Sequence, residues 1–412
     1  MVHANRKSRD WFTAWVIGLA VTAAAISILN SFWPEPAVPR FDEKYYYSLA
    51  EAIANGSYND GYLVRPPLYP LFLAAIFRSF GLSLTPALVI QGLLRGLVVA
   101  GIALMGRRYI SKRAGLVGAG ILVVYPSFIQ SYTRLMTEAV YIPLFILSFY
   151  LIARMVRTES KADAVKAGVA CGAASLARST SAFLTLLVAV WLVFTASGSG
   201  RFSKRKAVCA GLLVLTMAVT ISPWTVRNLV VHGGLILLSN DSAFNLWLVA
   251  SGKKHWEGAA EWETWGTQVE RQREGYRRWF NYLRENPNLH IRRLLSGLPR
   301  LVLPEWGSRM PAAGPGTRGG TTDAALIYES VFRLLRPVTH LLLLVGGLVG
   351  VVLLERSRPR RNLLLLTVFY FLAAHSATLA MGRFMVPLNV LLAVYSGALI
   401  DRMASLRRPP AR

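Results

Sequence analysis

A chain of 412 residues that is 54% hydrophobic and only 16% charged carries too much apolar surface for a soluble globular fold, and it reads as an all-α polytopic membrane protein. Its formal charge of +25 would suit a nucleic-acid partner in a soluble protein. Here the basic residues flank apolar runs instead, as cytoplasmic loops of membrane proteins do, so no nucleic acid is expected.

The first apolar run, Trp11 to Ser31, is uncharged and at ~1.5 Å per residue is long enough to cross a bilayer. It is too long and too uniformly apolar for a secretory leader and reads as a retained helix. The positive-inside rule places six basic groups in the cytoplasm: Arg6-Lys7-Arg9, Arg107 to Arg113, Arg154 to Lys166, Arg201 to Lys206, Arg356 to Arg361, and the tail from Arg402. The connecting spans are then 11–31, 85–106, 114–131, 136–153, 167–178, 180–196, 207–226, 338–354, 362–380 and 384–401, about ten helices with both termini inside. Pro66 to Phe80 is too short to span, opens on Pro-Pro and carries Arg78, so it reads as a helix at the outer interface.

Three regions follow from this threading. Residues 1–231 form an N-terminal transmembrane catalytic core that includes an external loop, 32–84. Residues 232–337 form a small extracytoplasmic subdomain, and 338–412 supply C-terminal transmembrane helices and a basic cytoplasmic tail. Within the subdomain, Gln268 to Arg284 has the pattern of a basic amphipathic helix with Tyr276, Trp279, Phe280 and Leu283 as its apolar face. Trp247, Trp256, Trp262 and Trp265 precede it and read best as packing residues, and the Gly/Pro-rich run Pro311 to Gly320 reads as a mobile loop able to gate a site.

The same threading puts Asp42, Glu43, Arg65, Arg134, Glu138, Arg178, Arg227 and Arg383 at outer helix ends or in outer loops. Taken singly, each has an ordinary reading. Arg134 and Glu138 have the spacing of a helix-surface ion pair, Arg178 can snorkel, Arg227 can cap a helix end and Arg383 can anchor at the interface. Together they form a one-sided collection of ionisable groups at hydrocarbon depth, where such groups are costly and tend to be paired or functional. Arg95, inside a span beside Gln91, reads as a group that satisfies a buried polar neighbour.

Guanidinium forks suit phosphate or pyrophosphate, and a carboxylate can take a proton from a hydroxyl. The sequence has no Walker A loop, HExxH or CxxC and no GxGxxG that follows a strand, so neither a nucleotide nor a zinc-thiolate site is expected. On an outer face the natural phosphate compound is then a lipid-linked one. A flippase for lipid-linked saccharides is the alternative, but no internal repeat and no polar pathway through the bilayer stands out.

Phe41-Asp42-Glu43-Lys44-Tyr45, Arg65-Pro66-Pro67-Leu68-Tyr69-Pro70 and Tyr125-Pro126 with Thr137-Glu138 resemble motifs of the GT-C membrane glycosyltransferases, in the group of protein O-mannosyltransferases and lipid A aminoarabinose transferases. Gly172 to Arg178, Pro223-Trp224-Thr225-Val226-Arg227-Asn228 and Gly382-Arg383-Phe384 with Pro387 continue the resemblance in the same order. The resemblance implies a polyprenyl-phosphate-linked sugar donor, transfer outside the cytoplasm and inversion at the anomeric carbon. It implies Asp42 as the general base with Glu43 beside it, in an integral protein of a bacterial inner or plasma membrane. Arg65, Arg227, Arg383 and Arg134 are then expected on the donor phosphate, with Glu138 and Arg178 in support. Arg65 stands where relatives often carry an acid or His, so the cofactor stays open: Glu138 either orders Arg134 or holds a divalent metal ion. The acceptor, a glycolipid, a polysaccharide or a protein hydroxyl, is left open too.

Overall fold

The computed structural model describes residues 2–32, 39, 42–58, 60–61, 63–194, 203–302, 323–378 and 380–406, and the side chains of all of these except 2–10 and 323–329. The expected gating run Pro311 to Gly320 lies outside the described residues. Every element described is helical. The first half of the chain forms α1 (Val2–Phe32), α2 (Asp42–Ala54), α3 (Leu68–Phe80), α4 (Leu84–Tyr109), α5 (Lys112–Val124), α6 (Pro126–Thr133), α7 (Glu138–Thr158), α8 (Lys161–Ala177) and α9 (Thr180–Phe194). After α10 (Lys204–His232) come four shorter helices, α11 (Asp241–Ser251), α12 (His255–Glu263), α13 (Gln268–Glu285) and α14 (Pro287–Val302). α15 (Asp323–Leu341) continues through a π turn into α16 (Gly347–Leu354), and α17 (Arg358–Ser376) is joined by a 3₁₀ turn at Gly382–Met385 to α18 (Val386–Leu406).

Six of the described helical stretches are long and apolar enough to cross a membrane, and seven if α5 and α6, bent by 62° at their junction, count as one. The expected count of about ten is not confirmed. The three candidates that fall short of the test are α8, whose first turns carry Lys161, Asp163 and Lys166, α9 with 15 residues, and α17, which opens on Arg358, Arg360 and Arg361. A helix of 15 residues reaches ~22 Å, less than the ~30 Å hydrocarbon core. The short α3 matches the expected non-spanning helix, with Arg78 donating to the Ala54 and Ile53 carbonyls at the end of α2.

Small residues let the helices approach closely, as expected where lipid supplies no hydrophobic drive between them. Gly106 of α4 lies against Gly115 of α5, and Gly118 of α5 meets Ala393 of α18, in each case so near that a Cβ would stand 2.3 Å from backbone. α18 is the most enclosed helix, with an unbroken run of buried residues from Val386 to Ala398. Where Pro126 breaks the α5–α6 pair, Arg95 of α4 donates to the carbonyls of Leu122 (2.8 Å), Val123 (2.7 Å) and, on α1, Ala23 (2.6 Å). Arg95 thus satisfies two carbonyls at the end of α5 and one of α1 rather than a side chain.

The segment after α10 folds as helices around a small core of Phe244, Trp247, Leu248 and Trp262, with Trp265 against it. Leu63 from the first loop is part of that core, and the Val64 amide donates to Asn240 at 2.9 Å, so the two polar regions pack as one layer. Trp247 and Trp262 are packing residues, whereas Trp256 is 68% exposed. α13 has the expected extent, opening on a Thr267–Glu270 capping box, but its contact face differs from expectation. Gly275 is the buried residue, under Trp262, while Tyr276 and Phe280 of the expected apolar face stay exposed.

Candidate functional site

Two acids occupy the first turn of α2, where a helix N-terminus favours negative charge. They diverge. Asp42 lies between two guanidinium groups, 3.5 Å from Arg65 Nη1 and 3.2 Å from Arg383 Nη2, and its side chain is 37% exposed. Glu43 points into the protein, 3% exposed, and pairs with Arg134 at the end of α6.

Arg65 is held flat by aromatic neighbours. Its guanidinium lies 4.5 Å from the Tyr45 ring centre, donates to the Tyr46 hydroxyl at 3.3 Å, and reaches Asp241 of α11 at 4.0 Å. The sequence supplies this clamp from one turn of α2 and from the N-terminus of α11. Arg383 arrives from the 3₁₀ turn that reverses the chain between α17 and α18. Its buried Nε has no hydrogen-bond partner among the described residues, which leaves a donor next to Asp42.

Glu138 opens α7 and pairs with Arg178 at 3.1 Å, while the Thr137 hydroxyl donates to its other oxygen at 3.2 Å. Arg178 caps α8 and stacks 4.6 Å from the Phe384 ring centre, next to Arg383. Arg134 and Glu138 do not pair with each other as spacing alone would suggest. α6 ends at Thr133 and α7 begins at Glu138, so the two residues share no helix and each takes a more distant partner.

Arg227 meets an acid of the first loop. It donates to Asp60 Oδ2 at 2.6 Å, where His232 Nε2 also approaches at 3.0 Å, and it lies between the Tyr58 and Trp224 rings. The structure therefore brings Asp42, Arg65 and Arg383 into direct contact, sets Glu43–Arg134 and Glu138–Arg178 beside them, and gives Arg227 to a first-loop acid.

The field around Asp42 separates two carboxyls. Burial raises Asp42, but Arg65 and Arg383 outweigh it and hold the group below the ordinary carboxylate value of 3.8. Burial pushes Asp241 the other way, opposed by Arg65 and reinforced by the Asp42 charge, so it titrates above Asp42. His255 of α12 is lowered by burial, against the pull of Asp42. Asp60, Asp241 and His255 were not signalled by the sequence. Asp241 opens α11, and nothing local in the sequence ties it to residues nearly two hundred positions earlier. Among the described residues no cluster of three or more His, Cys, Asp or Glu side chains is placed to hold a metal ion.

Residues 64–224 match the family model described as dolichyl-phosphate-mannose-protein mannosyltransferase. The fold matches the apo oligosaccharyltransferase of Archaeoglobus fulgidus with a TM-score of 0.59 at 15% identity, over 96% of this chain and 51% of that one. ArnT of Cupriavidus metallidurans, solved with undecaprenyl phosphate, matches more weakly, with a TM-score of 0.42 at 16% identity over 95% of this chain and 79% of that one. No curated protein sequence matches. The resemblance to the GT-C group is borne out by the family match and by the fold, and the chain spans about half the length of the archaeal enzyme.

Proposed function

We propose that the chain is an inverting glycosyltransferase that moves a sugar from a polyprenyl-phosphate donor to an acceptor hydroxyl at the extracytoplasmic membrane face. The observation that carries this reading is the position of Asp42 between Arg65 and Arg383, a carboxylate beside two guanidinium forks of the kind that suits a phosphate. The match of residues 64–224 to a family named for a dolichyl-phosphate sugar donor supports the same donor class.

In this mechanism the acceptor hydroxyl attacks the anomeric carbon on the face opposite the phosphate, and the C–O bond to phosphate breaks as the new glycosidic bond forms. Asp42 accepts the hydroxyl proton; the departing phosphate takes the bonding electron pair and is stabilised by Arg383, through its unpaired Nε–H, and by Arg65. Positive charge builds on the sugar ring, as in inverting glycoside chemistry. Phosphate is a good leaving group, so no separate acid is needed. Glu43–Arg134 and Glu138–Arg178 fix the helix ends that carry the reacting groups, and the Arg227–Asp60 pair ties the first loop to α10. Residues 1–231 would hold the reacting centre, with 232–337 covering it through Asp241 and His255 and 338–412 contributing Arg383.

The test compares envelope glycans and glycoproteins by mass spectrometry with and without the gene. A missing sugar restored by the wild-type chain, but not by Asp42→Asn at equal membrane abundance, supports the proposal; the expected loss is ~100 to 10,000-fold in transfer rate. Full restoration by Asp42→Asn removes Asp42 from the role of base.

A further inference from the structure

Two cavities meet at the end of the bundle opposite Asp42. One is a groove of about 460 Å³ between α4 and α7, lined on its apolar walls by Leu97, Gly101, Leu104, Pro143 and Leu147. Leu97, Leu104 and Leu147 are 67%, 52% and 46% exposed, which is the lipid-facing character of a membrane surface rather than of a protein core. The other is a pocket of about 230 Å³ at the C-terminal ends of α4 and α7 and the start of α17, walled by Arg108, Arg154, Arg157 and Arg360 with Tyr109. Arg108 and Tyr150 line both, so the apolar groove runs into the basic pocket.

Two of the four arginines are neutralised. Arg154 pairs with Asp163 at 3.0 Å and Arg360 with the buried Glu355 at 2.6 Å. Arg108 and Arg157 have no carboxylate partner among the described residues. They stand at the last turns of α4 and α7, where the helix dipoles offset part of their charge but supply no counter-ion. An apolar channel ending in two uncompensated guanidinium groups is complementary to one chemistry, a hydrocarbon chain bearing a phosphate.

We propose that this composite cavity binds an anionic phospholipid of the leaflet that faces the arginine-rich loops, one acyl chain lying in the groove between α4 and α7 and the phosphate held by Arg108 and Arg157. The site is separate from the Asp42 cluster. Glu138 opens α7 at that cluster and Arg157 ends the same helix, a separation of about 30 Å along the axis.

The full chain, purified in a neutral detergent, is titrated with phosphatidylglycerol or phosphatidylcholine of the same acyl chains, and retained lipid is read by native mass spectrometry. Phosphatidylglycerol should be retained preferentially. The paired change Arg108→Gln with Arg157→Gln should lower its affinity about fivefold for each arginine removed, with phosphatidylcholine unaffected. Gly101→Leu tests the groove independently, because a Cβ at Gly101 meets nothing within 4 Å and Gly101 lines the groove that a larger side chain would occupy. It should reduce retention while leaving the unliganded melting temperature unchanged. Equal retention of the two lipids, or preference that survives all of these changes, overturns the proposal. Undecaprenyl phosphate retained at Arg108 and Arg157 in place of phosphatidylglycerol would overturn the phospholipid assignment.

Discussion

Asp42 is a carboxylate whose proton affinity is set by its neighbours, and each neighbour can be removed. With the folded value held below 3.8, the ionised form is present above that pH and is lost only as the pH falls through the lowered value. Transfer measured with the donor identified from the envelope glycans should therefore keep its Asp42-dependent rate down to the acid edge of the carboxylate range. Replacing Arg383 by Gln removes one of the two opposing charges while burial persists, so the acid limb of the pH–rate profile should move upward; a limb that stays in place would exclude Asp42 as the titrating base. The comparison belongs in an Asp241→Asn background, because Asp241 titrates higher and would otherwise set the limb. The cations are separable in the same way, with undecaprenyl phosphate as the probe common to all such donors. Arg383→Lys should weaken its binding by about 10 to 100-fold, the worth of a charge-assisted hydrogen bond, because a lysine cannot offer the fork. Arg227→Lys should leave that binding within about twofold, since Arg227 is engaged with Asp60, and loss of binding on that change would return Arg227 to the phosphate. The sequence made Asp42, Arg65 and Arg383 legible because ionisable residues are scarce next to apolar spans. It could not pair them: Asp42 and Arg383 meet through helices joined late in the chain, and a charge carries no mark of its distant partner.

At the scale of helices, what the sequence shows well is length and apolar period, and what it hides is how nearly two helices approach. The bounds of α4, α7, α10 and α18 follow the apolar runs, whereas the single span expected over 114–131 is broken at Pro126 into α5 and α6, bent by 62°. The contact between α5 and α18 is built on Gly118, whose Cβ would stand 2.3 Å from the Ala393 carbonyl oxygen, and on Gly397, whose Cβ would stand 2.3 Å from that of Ala114. Rigid backbone on both sides leaves no side chain to yield. Gly118→Val should therefore separate the helices and destabilise the protein by about 1 to 3 kcal/mol, read as a lowered melting temperature of the detergent-solubilised chain. Gly120, two residues on, has nothing within 4 Å of a Cβ, and Gly120→Ala should be neutral or stabilise by about 0.5 to 1 kcal/mol through helix propensity. Equal losses from both changes would show that the contact is not the determinant. Because α18 follows directly on the turn that carries Arg383, Gly118→Val should also weaken binding of undecaprenyl phosphate, while Gly120→Ala should not.

Across the whole molecule, α7 serves as a ruler between two chemically different faces. Its first residue, Glu138, lies with Asp42, Glu43 and Asp241 among their arginines, and its last turn lies with Arg108, Arg157 and Arg360, where the charge is mostly positive. Loops rich in Lys and Arg stay on the cytoplasmic side of a membrane, so this asymmetry supports the proposed orientation, with the Asp42 cluster outside. The orientation decides the chemistry. On the outer face sugar nucleotides are absent and a lipid carrier has to bring the sugar across, whereas on the inner face a soluble donor would be at hand and the arginines around Asp42 would need another explanation. Labelling resolves the choice once the buried Cys171 and Cys209 are replaced by alanine. Ser57→Cys is exposed in the loop after α2, and Thr158→Cys is exposed at the far end of α7. A membrane-impermeant maleimide added to intact cells should modify position 57 and should reach position 158 only after permeabilisation. The reverse pattern would place Asp42 in the cytosol and remove the lipid-linked donor, because a carboxylate and two guanidinium groups facing soluble nucleotide sugars have no need of a polyprenyl tail between the helices.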